Sequence, residues 1–250
     1  MSEKIYTFWE GVLPDYLKLC METWKFPYVI LNYDNLTQYT DKIPEKIKQL
    51  TLPKIADYVR VHVLRDNGGI WLDTDTIMLS DKLPEECILG NNTERTNTIG
   101  FLKTEAHSDF FESWAAFQDQ MLDRIPVSKI DITPWDIMGN KFTDNYLKAH
   151  KDIQIGKLEQ NWPETYILKE ELSRAQLYQI FHFGNFRLND TQLYQKFYFG
   201  SDFTLNDVKD KTNMLMLHNS WTPTWYKNLS RDDVLNQKCT LSNVLREIIS

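Results

Sequence analysis

The sequence is short of residues that cross-link a chain. Its three cysteines, Cys20, Cys87 and Cys239, are odd in number, far apart and without a C-x-x-C pair. No disulfide framework is expected, and a reducing compartment fits best. Long apolar runs are missing too: no stretch reaches the roughly 18 residues that a spanning helix needs. The opening "MSEKIYTFWEG" has neither a basic n-region nor a long apolar h-region, so it does not read as a signal peptide. Basic charge is also scarce. Lys and Arg number 28 against 35 Asp and Glu, for a net charge of −7. That balance argues against a nucleic-acid binder, which would show a basic face. Repeats, low-complexity tracts and Pro/Gly/Ser linkers are absent, so no domain boundary is placed. Together these absences predict a cytoplasmic protein. Peripheral attachment at the inner face of the membrane stays open.

What is present suffices for a large core. Apolar residues make up 42% of the 250 positions, which fits one domain over 1–250. Eight tryptophans are many for this length. They can fill a core, or stack on sugars and bases.

The first half alternates between the two secondary-structure periods. "KIYTFWEG" is short, apolar and β-branched or aromatic, and predicts a strand from Ile5 to Trp9. Leu13, Leu17, Cys20, Met21 and Trp24 then fall at helical spacing, and "YVILNYD" predicts a second strand from Tyr28. "TLPKIADYVRVHVLRDNGG" predicts a helix. Thr51 is placed to cap it, Pro53 lies in its first turn, and Ala56, Val59 and Val63 give it an apolar face. Gly68 and Gly69 end it, and "IWL" follows as a short buried strand. Strand, helix, strand predicts a doubly wound α/β sheet. Further on, "SDFFESWAAFQDQML" predicts a helix with Phe110, Trp114, Phe117 and Met121 on one face, and "FTDNYLKAH" another. "QLYQIFHFG" and "KFYFGSD" are expected as strands, and "NMLMLHNSW" as a late buried strand. "RDDVLNQKCTLSNVLREIIS" reads as an amphipathic helix.

The chemistry centres on "DNGGIWLDTDTIMLS". Asp73 and Asp75 stand at the C-terminal end of a strand, the edge where open α/β sheets bind ligands. Mg²⁺ or Mn²⁺ takes one or two carboxylates together with substrate phosphates. Such an ion suits a diphosphate leaving group. "LDTDTIML" also matches the phosphatase pattern D-x-D-x-T, with Asp73 as nucleophile and Asp75 as acid or base. "GSDFTLND" would then be a later acidic motif. A sugar- or nucleotide-binding protein without catalysis, and an inert acidic turn, are further readings. Asp57 and Arg60 share a helix face. They form either a surface ion pair or a contact with ribose and phosphates. Trp9 is either a core residue or a base-stacking platform at the same sheet edge. His218 in "LHNSW" can ligate Mn²⁺, and Asn219, Ser220 and Trp221 offer hydrogen bonds to a diphosphate. Asp136 can reach a sugar pocket or cap a helix.

"ADYVRVHVLRDNGGIWLDTDT" resembles the signature of the DXD sugar transferases: A-x-x-S-D-x-x-R, an apolar turn, then G-G-[IV]-[YW]-x-D-x-D. These include the capsular polysaccharide synthesis proteins, the yeast-type initiating mannosyltransferases and the glucosylating domains of large bacterial toxins. Ala56 stands where that pattern has Ser. "IYTFWEGVLPDYLKLCMETW" is similar to the family's opening, and "LHNSWTPTWY" to its C-terminal H…SW element with a shorter spacing. The resemblance implies a GT-A fold, a Rossmann-like mixed, mainly parallel sheet flanked by helices. Residues 1–100 would bind the nucleotide-sugar, and 101–250 would supply the acceptor side and a closing element. It implies a nucleotide-sugar donor, UDP before GDP by analogy, and a glycan or lipid-linked glycan acceptor. It also implies Mn²⁺ or Mg²⁺ and retention of anomeric configuration. Position by position, Trp9 would stack on the base, and Asp57 and Arg60 would hold sugar, ribose or phosphates. Asp73 would contact ribose, sugar or metal, and Asp75 and His218 would ligate the ion. Asn219, Ser220 and Trp221 would close over the diphosphate.

Overall fold

The computed structural model describes residues 4–41, 43–91, 96–126, 129, 136–157, 190–200, 203–209 and 212–249. In chain order the elements begin β1 (Ile5–Phe8), α1 (Asp15–Glu22), β2 (Tyr28–Leu31), α2 (Leu52–Asn67), β3 (Gly69–Leu72) and β4 (Thr76–Met78). Next come β5 (Ile88–Asn91), β6 (Thr96–Thr104), α3 (Asp109–Arg124), α4 (Asn140–Ala149) and β7 (Ile155–Lys157). The last are α5 (Asp190–Phe199), α6 (Leu205–Val208), β8 (Met214–Met216), α7 (Thr224–Lys227), α8 (Arg231–Asn236) and α9 (Thr240–Ile249). They form two compact units interleaved in the chain. One comprises Met1–Val12, Phe26–Thr74 and Pro84–Leu158; the other comprises Leu13–Lys25, Asp75–Leu83 and Glu159–Ser250.

The first unit is built on a six-stranded sheet of order β2-β1-β3-β6-β5-β7. β1 pairs in parallel with β2 and with β3, and β5 with β7, while β6 runs antiparallel to both β3 and β5. The mixed, mostly parallel α/β architecture is therefore present. Helix α2 packs against β1, β3 and α3. Val59, Val61, Val63, Leu64, Trp71, Leu102 and Trp114 belong to the core that results. Sequence periodicity gives α2 one apolar face, yet it is buried almost all round, including Lys54, Asp57, Arg60, His62 and Arg65. Thr51 is its N-cap residue, but the side chain makes no capping bond. Pro53 occupies the second helical position and has no N–H to donate. At the other end Gly68 and Gly69 take φ of 64° and 97°, a turn that only glycine enters freely. A Cβ on Gly69 would also lie 2.7 Å from the Lys4 carbonyl. The buried face of α3 runs through Phe111, Trp114, Ala115, Gln118 and Leu122. Phe117 and Met121 lie at its margin, half-buried.

The second unit pairs β4 with β8, antiparallel, Thr76 opposite Met216. Within "KFYFGSD", Lys196–Phe199 is not a strand but the last turn of α5. Tyr194, Phe197 and Tyr198 are fully buried at helical spacing, so periodicity overrides the strand preference of aromatic residues. The expected C-terminal helix is two, α8 and α9, broken between Asn236 and Thr240. "QLYQIFHFG" lies outside the described residues. Among the described residues no helix is long and apolar enough to cross a membrane.

Candidate active site

In the first unit the chemistry gathers where α2 meets the end of β3. Asp57 and Arg60 are one helical turn apart, so their side chains meet. The Arg60 Nη2 lies 3.2 Å from Asp57 Oδ1 and 3.2 Å from Asp73 Oδ1. Arg60 also donates through Nη1 to the Ile99 carbonyl, and its guanidinium lies 5.0 Å from the centre of the Trp71 ring. The indole N–H of Trp71 donates to Asp73 Oδ1 at 2.8 Å. Trp71 and Asp73 are two residues apart along the strand direction, which puts them on one face. The Arg60 and Asp57 side chains are only 6% and 8% exposed, whereas Asp73 is 36% exposed. The pair is thus not a surface ion pair. It is a buried clamp that ends in one accessible carboxylate.

One guanidinium cannot neutralise every acid near it. Burial pushes the Asp57 carboxyl up to about 7; Arg60 opposes the rise, and Asp73 and Asp136 add to it. Gly139 lets the chain pass close to this carboxylate. A Cβ there would lie 2.8 Å from Asp57 Oδ2 and 2.5 Å from Ile99 Cδ1. Asp136 opens the turn before α4: its carbonyl accepts from the Gly139 N–H at 3.1 Å and the Lys141 N–H at 3.2 Å. The cap residue of α4 is Gly139. Asp136 therefore acts here through its main chain and its charge, not as a side-chain cap.

Trp9 follows β1, parallel to β3, and so stands at the same edge of this sheet as Asp73. It is half-buried, not a core residue. Its N–H donates to the Leu31 carbonyl at 2.9 Å, and its indole N–H to the Val12 carbonyl at 3.3 Å.

The boundary between units falls between Thr74 and Asp75, so Asp75 belongs to the second. There its carbonyl accepts from the Leu217 N–H at 3.0 Å, and its Oδ2 accepts from the Asn219 N–H at 2.7 Å. The strand that follows it is anchored to α1. Trp24 donates its indole N–H to the Thr76 carbonyl at 2.7 Å, and the Met78 N–H donates to Thr23 Oγ1 at 2.8 Å. "LHNSW" makes a single 3₁₀ turn, closed by the Trp221 N–H on the His218 carbonyl at 2.9 Å. The rings of His218 and Trp221 lie 4.1 Å apart, and that of Tyr194 lies 5.7 Å from His218. Ser220 is exposed, while His218, Asn219 and Trp221 are half-buried. Lys227, at the end of α7, is held below the usual lysine range by burial, against the pull of Asp75.

Two sets of partners went unread in the sequence. Trp71 was visible as the aromatic two places before Asp73. Thr23 and Trp24 belong to the C-x-x-T-W stretch, whose spacing does not reveal that it grips β4. Among the described residues no three His, Cys, Asp or Glu side chains gather as a metal cage. A single carboxylate such as that of Asp73 or of Asp75 is nevertheless a ligand type that suits Mg²⁺ or Mn²⁺, because such ions take few carboxylates and complete their shell with phosphate and water. Of "GSDFTLND", Asp207 makes a capping box on α6, its Oδ2 accepting from Thr204 N–H at 2.7 Å and Thr204 Oγ1 at 2.8 Å, while Ser201 and Asp202 lie outside the described residues.

No curated protein matches the chain. Among solved structures it is similar to one described as "PaToxG Glycosyltransferase". Identity is 15% over 71% of this chain and 74% of that one, with a TM-score of 0.35, a likeness too slight to bear on mechanism. The family model of the capsular polysaccharide synthesis protein matches residues 1–197. The chain belongs to the capsular polysaccharide synthesis protein family.

Proposed function

We propose that this glycosyltransferase of the capsular-synthesis type takes its sugar from a UDP-sugar, needs a divalent ion, and retains the anomeric configuration. The observation that carries the reading is the holding of the two acids: Asp73 by Arg60 and Trp71, Asp75 by the Asn219 N–H. Carboxylates held by fixed donors stay oriented. Asp73 and Asp75 would hold Mn²⁺ or Mg²⁺, with His218 as a further candidate ligand. When bound, the ion offsets charge on the departing diphosphate. Trp9 offers its ring to the base, and Asp57 and Arg60 set the carboxylate that meets ribose or sugar. Ser220 and Trp221 would donate toward the diphosphate, while Asn219 gives its N–H to Asp75. The transition state is positive at the anomeric carbon. The acceptor attacks the face the diphosphate leaves, and a phosphate oxygen takes its proton. The acceptor is a glycan or lipid-linked glycan, and the reaction takes place on the cytoplasmic side.

Calorimetric titration of UDP and of GDP, each with Mn²⁺ or with EDTA, tests the donor side. UDP is expected to bind in Mn²⁺ and to lose most of its affinity in EDTA. Equal binding in EDTA contradicts the metal, and preference for GDP contradicts the base.

A further inference from the structure

Tyr16 is fully buried in α1 and is 59 residues from Asp75 in sequence. Its hydroxyl donates to Asn219 Oδ1. Asn219 in turn donates its main-chain N–H to Asp75 Oδ2 at 2.7 Å. The three residues belong to the same unit. Burial first, and then the Asp75 charge, pushes the Tyr16 hydroxyl above its ordinary range, so it stays a neutral donor. The ring has little room to turn away: Tyr226 packs edge-on at 5.8 Å. A half-buried asparagine on a short 3₁₀ turn has several rotamers. A fixed donor on its amide oxygen selects one, and with it the turn that aims the N–H at Asp75.

We propose that Tyr16 is a positioning residue for Asp75: through Asn219 it fixes the carboxylate in the orientation that receives the divalent ion. The proposal rests on the reading of Asp75 as an ion-holding residue. Partners of this kind behind a metal-binding carboxylate commonly govern affinity by about 10- to 100-fold.

The test is the Mn²⁺ concentration that half-saturates UDP binding, read by calorimetry on the full chain. Asp75→Ala tests the underlying reading and is expected to abolish the Mn²⁺-dependent part. Tyr16→Phe removes one hydroxyl and is expected to raise the Mn²⁺ midpoint about tenfold or more, with metal-free UDP binding unchanged. Asn219→Ala removes the acceptor at a half-buried position and carries the test if Tyr16→Phe does not fold; it should shift the midpoint alike. The double variant should shift it no further than either single one, since both break one chain. Tyr226→Phe is the control. Its hydroxyl bonds Ser242 at 2.8 Å, so its loss should leave the midpoint in place. A wild-type midpoint in Tyr16→Phe and Asn219→Ala, with Asp75→Ala inactive in Mn²⁺ binding, overturns the proposal and leaves the reading standing. Equal shifts in Tyr16→Phe and Tyr226→Phe overturn it as well, because the effect is then general packing. Wild-type behaviour of Asp75→Ala overturns the reading and the proposal together.

Discussion

Arg60 serves two carboxylates with one charge, and the imbalance has a measurable consequence. The Asp57 carboxyl sits at about 7, against an ordinary 3.8. The folded chain therefore holds this proton more tightly than the unfolded chain does. The contribution to stability is complete below the ordinary value and is lost as pH rises through 7. Asp57→Asn should remove that slope, leaving urea midpoints at about pH 5 and pH 8 closer together than in the wild type. A wild-type slope in the variant would contradict the assignment. Trp71→Phe keeps an aromatic ring beside Arg60 but deletes the N–H on Asp73. It should lower kcat for donor hydrolysis by roughly tenfold while the fold survives in circular dichroism. Gly139→Ala pushes a methyl group against Asp57 and Ile99, and should destabilise by about 1–3 kcal/mol in urea denaturation. At this scale Asp57, Arg60, Asp73 and Asp75 were legible because their types and spacings carry the pattern. Gly139 was not, since no short-range signal links it to a carboxylate 82 positions earlier in the chain.

At the scale of elements, α2 and α1 show what periodicity reveals and what it hides. The bounds of α2 follow from Pro53 and the Gly pair, and the structure places them there. Its all-round burial does not follow, because Asp57, Arg60 and Arg65 look like a solvated face. They are paired instead: the Arg65 Nε lies 2.7 Å from Asp66 Oδ1, and Arg60 is shared as described. Helix α1 was legible as a helix, but not as the support of β4. Trp24→Phe leaves the buried Thr76 carbonyl without its indole donor and should cost about 1–3 kcal/mol. The measurement is the urea midpoint. An unchanged midpoint would show that another group takes over the carbonyl. Strand β6 was missed altogether. It enters antiparallel between β3 and β5, a pairing set by distant segments and not by its own composition. "KFYFGSD" failed for the opposite reason, as aromatic content masked a helical period.

At the scale of the molecule, the chain order itself is informative. It crosses from one unit to the other between the two aspartates, then pairs β4 with β8, more than 130 residues later in sequence. The resemblance was carried by stretches around β1 and α1, by α2 with β3, and by "LHNSW". The first two lie within the family match over 1–197; "LHNSW" lies beyond it. Those stretches hold local motifs; the connections among them are long-range and leave no mark on short-range spacing. The central claim is that Asp75 serves a nucleotide-sugar donor. The most direct measurement is release of nucleoside diphosphate from a panel of UDP- and GDP-sugars without acceptor, in Mn²⁺ or EDTA, for the wild type and Asp75→Ala. The account predicts slow Mn²⁺-dependent release of UDP from one donor, lost in EDTA and in the variant. No release from any donor, with phosphate freed from a generic phosphomonoester in an Asp73-dependent way, would contradict it.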